Sequence, residues 1–95
     1  MIRAEYDSQA DALSIDLVEA THWDDAIWID DDYCHISLEH GVPANIELLS
    51  PADNLRFLRP AGEAAGVEPE LLEAAARSAL AAPDRTVSLD FSAIH

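Results

Sequence analysis

The sequence predicts an α+β fold: an antiparallel β-meander of about five strands, then one short and one longer helix, then a C-terminal strand. Three observations carry this prediction. Apolar and polar residues alternate with period two through most of residues 2–49, as half-buried strands with one wet face require. The composition then shifts from Ile, Leu, Asp and Trp to Ala, and within the Ala-rich part apolar residues recur at helical spacing. A last alternation, Val87, Leu89 and Phe91, restores the strand pattern. Neither part is long enough to build a core alone, so residues 1–95 read as a single domain. It has an acidic β-rich part (1–50) and a helical part with the terminal strand (51–95).

Taken in order, Ile2, Ala4 and Tyr6 alternate with Arg3 and Glu5. After a polar connection, Leu13, Ile15 and Leu17 alternate with Ser14 and Asp16, which makes a hairpin. Residues 26–30 form a third strand, with Ile27 and Ile29 on one face and Trp28 on the other. Residues 34–39 form a fourth, with Cys34, Ile36 and Leu38 inward and His35, Ser37 and Glu39 outward. His40-Gly41-Val42-Pro43 supplies turn chemistry, and residues 44–49 return with Ile46 and Leu48 inward. Ser50-Pro51-Ala52-Asp53 places a capping hydroxyl, a first-turn proline and an acid at a helix start. Arg59-Pro60 should stop that helix, leaving residues 61–66 as turn or loop. The longer helix spans about 69–82, with Leu72, Ala75, Ala76, Ala79 and Leu80 on one face. Residues 86–91 form the last strand, pairing with a sheet edge of this chain or of a partner.

The segment from Tyr6-Asp7 through Ala10-Asp11-Ala12-Leu13 to Leu17 is a strand, a tight polar connection and a strand, in which Asp7 and Asp11 can accept backbone N–H bonds. In this form it resembles the opening of the domain-of-unknown-function 2283 family, small bacterial proteins. Asn45-Ile46-Glu47-Leu48-Leu49-Ser50 is similar to that family's closing strand. The resemblance covers about residues 1–55. It departs at Glu39-His40-Gly41-Val42-Pro43, where the family carries an Asp/Gly-rich turn, and residues beyond about 60 have no counterpart. It implies a β-rich fold without an established activity, and for some members a place as the acidic half of a pair with a small basic protein, as in toxin–antitoxin systems.

Charge narrows the function classes. Nineteen acids face five Arg and no Lys, for a net charge of −14. Direct binding to DNA, RNA or an anionic membrane is disfavoured, because each phosphate contact needs a cation. Residues 1–54 hold 13 acids and one Arg, so −12 of the −14 lies on the strands. Hydrophobic residues make up 49%, too many for a disordered acidic tail. No apolar run reaches spanning length, and Met1 leads straight into a strand pattern rather than a signal peptide. The single Cys34 excludes an intramolecular disulfide and suits the cytoplasm. A small core and a self-repelling charge would both gain from a homodimer or a basic protein ligand.

Spacing decides among the remaining candidates. Asp30-Asp31-Asp32 suggests calcium, but an EF-hand loop counted from Asp30 has His35 at its sixth position and Gly41 at its twelfth, so an acidic turn is the better reading. Cys34, His35 and His40, with His22 and Glu39 nearby, suggest zinc or iron, yet Cys34 and His35 point to opposite faces. His35, Glu39 and Glu47 share a face and remain the weak metal candidates, with a solvated polar face as the alternative. The glycines Gly41, Gly62 and Gly66 are scattered and form no phosphate loop, and no nucleophile elbow exists. Cys34 has no electropositive neighbour in sequence to activate it. Trp28 is either covered by the C-terminal helix or an interface anchor, and Trp23 joins it with Asp30, Asp31 and Asp32 as a partner-binding surface. The expectation is a non-catalytic acidic protein-interaction module without cofactor. Its rivals are a metal- or ligand-binding protein or enzyme on the His/Glu face, and a structural homo-oligomer subunit.

Overall fold

The computed structural model describes residues 2–19 and 22–90. The strands are β1 (Ile2–Asp7), β2 (Ala12–Asp16), β3 (Asp25–Asp30), β4 (Cys34–Glu39), β5 (Val42–Leu49) and β6 (Thr86–Leu89). They form one antiparallel sheet in the order β3-β4-β5-β2-β1-β6. Between β5 and β6 lie α1 (Pro51–Asn54), a 3-10 turn (Leu55–Phe57), α2 (Leu58–Ala65) and α3 (Pro69–Ala81). The predicted α+β fold forms, with five strands before the helices and one after. One detail exceeds the prediction: β2 hands over to β3 at the far edge, and β5 returns to lie between β4 and β2. The last strand pairs with β1 of its own chain. Phe91 lies outside the described residues.

Period-two alternation sorts the sheet into two faces. Ile2, Leu13, Ile15, Ile36, Ile46 and Leu48 are all fully buried on the inner face. The helices cover this face only. Leu58 and Ala61 of α2 and Leu71, Leu72, Ala75, Ala76 and Ala79 of α3 pack into the same core. Alanines at this interface let α3 sit close against β1, β2 and β6. Gly62 serves a similar close approach, since a Cβ there would lie 2.7 Å from the Val67 carbonyl oxygen and 3.1 Å from Pro69 Cγ. Outside the core, Arg59 of α2 bridges to Glu70 and Glu73 of α3, tying the two helices, while Arg77 bridges to Glu73 within α3.

Two helix signals act differently from expectation. Pro60 does not stop a helix; it is the third residue of α2, which runs through residues expected to be loop. A first-turn proline loses no intrahelical bond, because N–H groups there have no partner within the helix. Ser50 does precede α1, but with φ 45° and no side-chain cap bond. Its carbonyl oxygen instead accepts the Asn54 amide at 2.9 Å and the Asp53 N–H at 3.1 Å.

The turns follow their chemistry more closely. His40 and Gly41 both have positive φ (51° and 80°), as a two-residue hairpin turn of the primed type requires, so β5 begins at Val42. Asp7 Oδ1 accepts the N–H groups of Gln9 and Ala10 at 3.0 and 3.2 Å. Asp11 serves that connection differently: its Oδ1 accepts the Tyr6 phenol at 2.7 Å. That bond raises the Tyr6 pKa, with burial and neighbouring carboxylates adding to it.

Candidate functional site

Among the described residues no helix layer covers the outer face of the sheet, and its side chains form registered rows. One row runs Trp28, His35, Glu47, Ser14, Glu5, Thr86 across all six strands. The next runs Ala26, Ser37, Asn45, Asp16, Arg3, Ser88. Over β1, β2 and β5 the face dips into a concavity of 290 Å³ lined by Arg3, Glu5, Asp7, Ser14, Asp16 and Glu47, among others. Four carboxylates of this lining face one guanidinium, whose bridge, at 3.8 Å, goes to the exposed Glu19. The concavity is therefore a cation-attracting surface.

Asn45 anchors this face. It is 1% exposed, and its Nδ2 donates to Ser14 Oγ and to Asp16 Oδ1, both at 2.7 Å. Ser37, expected to face outward into water, is 5% exposed beside it. The β2–β3 connection passes this end of β4 and β5: Leu17 N–H bonds the Ala44 carbonyl, Asp24 N–H the Leu38 carbonyl, and His22 N–H the Glu39 carboxylate.

The predicted partner-binding residues lie at or near one end of the sheet. Trp28 is 58% exposed and Trp23 53%. The helix does not cover Trp28, because α2 and α3 lie on the opposite face; its ring instead meets His35, centroids 4.7 Å apart. Asp30, Asp31 and Asp32 make the β3–β4 turn. Asp30 Oδ2 accepts the N–H groups of Asp32 and Tyr33, each at 3.0 Å, so one acid of the run shapes the turn.

The metal candidates do not converge. His35 and Glu47 are cross-strand partners, as the outward alternation requires. Glu39 sits four residues further along β4, roughly 13 Å away at strand rise, with its carboxylate on the His22 N–H. Among the described residues no group of three or more His, Cys, Asp or Glu side chains could hold a metal ion. Cys34 is 1% exposed on the inner face. Burial, then the nearby Asp30 charge, pushes its thiol up to about 11, the opposite of nucleophile activation.

Sequence reasoning missed the concavity, although each residue lining it alternates legibly. The concavity exists because β5 inserts beside β2 and β6 beside β1. A second tie went unread: Ser8 donates from its N–H and its hydroxyl to the Asp84 carboxylate, at 2.9 and 2.6 Å, and Asp84 N–H bonds the Tyr6 carbonyl. This joins the β1–β2 turn to the entry of β6. The bonds from Ser8 lower the Asp84 pKa. Among the described residues, no helix is long and apolar enough to cross a membrane. No protein-family model, curated protein or solved structure matches the chain.

Proposed function

We propose that this chain is a non-catalytic acidic protein-interaction module that binds and neutralises a small basic protein, as an antitoxin does its toxin. The observation that carries the reading is the uncovered sheet face, where Glu5, Asp7, Asp16 and Glu47 stand in register with Arg3 as the one cation of the concavity. A hydrated carboxylate array of this kind speeds and orients encounter with a cationic surface. Exposed Trp28 and Trp23 add the aromatic area that anchors interfaces. The resemblance of residues 6–17 and 45–50 to the domain-of-unknown-function 2283 family, some of whose members look like the acidic half of such a pair, supports the reading. The cytoplasm is its proposed compartment, in keeping with one buried thiol. Homodimerisation is assigned to the near-neutral helical part, where like charges do not oppose it.

The test is titration with any small basic protein found encoded beside this chain, purified. Raising salt from about 50 to about 300 mM should weaken binding about tenfold or more. Absence of binding, or affinity indifferent to salt, overturns the proposal.

A further inference from the structure

We propose that the free edge of β3 is the docking strand for that partner: an extended segment bearing Lys or Arg pairs with Asp25–Trp28 and adds a seventh strand. The inference rests on the acidic-interaction reading above and assigns its place of attachment.

Among the described residues, β3 has β4 as its one hydrogen-bonded neighbour. An edge strand presents backbone donors and acceptors to any strand that can lie beside it, and natural proteins protect such edges. The opposite edge is protected. β6 has four residues, is packed against α3 and is preceded by Arg85. β3 has six residues, and α2 and α3 pack chiefly over β1, β2, β4 and β6. Ile27 is consequently 37% exposed although it belongs to the inner face, while Trp28 is 58% exposed on the outer. An added strand therefore meets apolar surface on both sides of the sheet. A register shift between Trp28 and Asp30 ends the regular ladder, so pairing is confined to Asp25–Trp28.

Charge selects the occupant. Asp24 and Asp25 precede the ladder, Asp30, Asp31 and Asp32 follow it, and the chain holds no Lys or Arg from residue 4 to residue 55. The Asp25 carboxylate lies against the strand backbone itself, its Oδ1 accepting the Ala26 N–H at 2.8 Å, a donor that an added strand takes over as its cation draws the carboxylate away. Antiparallel pairing with β3 of a second copy brings Asp24 and Asp25 against the 30–32 run in each register centred on the strand. Like charges set opposite one another destabilise a strand pair. A segment with cations at its ends and an apolar centre reverses the sign of the same contacts. Strand pairing supplies affinity through the backbone, and the acids supply the selectivity.

The experiment uses the full chain and a short synthetic peptide alternating Lys and Val, with two controls. One is the same peptide N-methylated at alternate residues, which keeps every charge and removes the strand donors. The other replaces Lys by Thr, which keeps the strand propensity and removes the charge. The Lys/Val peptide should shift the amide resonances of Asp25–Trp28, and each control should bind about tenfold or more weakly. Equal affinity of the methylated peptide overturns strand pairing while leaving binding by charge intact. Equal affinity of the Thr peptide overturns the requirement for cations and counts against the acidic-interaction reading itself. Shifts centred on Thr86–Leu89, or no binding of the Lys/Val peptide, overturn the assignment to β3. A concentration-dependent dimer that dissociates on Ile27→Lys also overturns it, by giving the edge to a second copy.

Discussion

Two adjacent rows of the same sheet carry opposite burdens. On the inner face the row reads Ile27, Ile36, Ile46, Ile15, Ala4, Val87; on the outer face, one residue away on each strand, it reads Trp28, His35, Glu47, Ser14, Glu5, Thr86. The central Ile36, Ile46 and Ile15 are 0% exposed. A slip of one residue on any strand would exchange its two rows, exposing isoleucine and burying carboxylate, so the register is strongly specified. The two faces divide the labour of the sheet. Folding free energy comes from the inner row and the alanine-faced helices, which leaves the outer row free to be acidic.

The sharpest way to break that comparison is to weaken its centre. Ile46→Ala removes a fully buried side chain flanked by Ile15 and Ile36 in neighbouring strands. It should cost about 2–5 kcal/mol, a large part of the roughly 5–15 kcal/mol available to a domain of this kind. Urea denaturation measures it, and a loss below about 1 kcal/mol would mean that the inner row is not the seat of stability. Asn45, buried like Ser37 beside it, is an outer-face exception, bonded to both Ser14 and Asp16. Asn45→Ala should cost about 1–3 kcal/mol, the penalty of stranding polar groups in a buried site. An Asn45→Ala protein as stable as the parent would show that the outer face contributes no structure of its own.

The two faces were also legible to different degrees. Each strand of the first part could be read from residues such as Leu13, Ile15 and Ile46, because one-sided burial writes period two into the sequence. The shared outer face of His35 and Glu47 followed from the same alternation. Position within a helix was harder to read. Pro60 breaks a helix that precedes it and is tolerated in one that begins at Leu58, and local sequence does not say which. Ser37 shows a further limit: it alternates outward, yet is buried where the β2–β3 connection passes. The concavity needed β5 beside β2, residue pairs such as Ser14 and Glu47 that are far apart in sequence. The tie from Ser8 to Asp84 spans 76 residues and leaves no local pattern.

That tie gives a smaller prediction, with a sign set by titration. The Asp84 carboxylate is held below its usual value of 3.8, chiefly by the Ser8 hydroxyl and N–H. A depressed folded pKa contributes stability above the unfolded value and loses it as pH falls through the folded value. Ser8→Ala should therefore melt below the parent at neutral pH by less than Asn45→Ala does. The gap should close as pH falls through the lowered folded value, where Asp84 protonates. A gap that persists unchanged at low pH would assign the effect to the turn itself rather than to the carboxylate.

The smallest effect on stability is the most informative about function. Glu47 lies in the outer row between Ser14 and His35, on the rim shared by the concavity and the β4–β5 ladder. Glu47→Gln keeps the shape and removes one negative charge from a face that repels itself. Stability should stay within about 0.5 kcal/mol of the parent or rise slightly, because the substitution touches no buried contact. Association with a basic partner should slow, and its salt dependence should become shallower, because fewer charges steer the encounter. Stopped-flow association at several salt concentrations separates these outcomes from denaturation in urea. A variant that unfolds more easily yet associates as fast would place structure, not steering, on the outer row. The reverse pattern fits a face whose acids are retained against their own repulsion, for which a cationic partner is the physical reason.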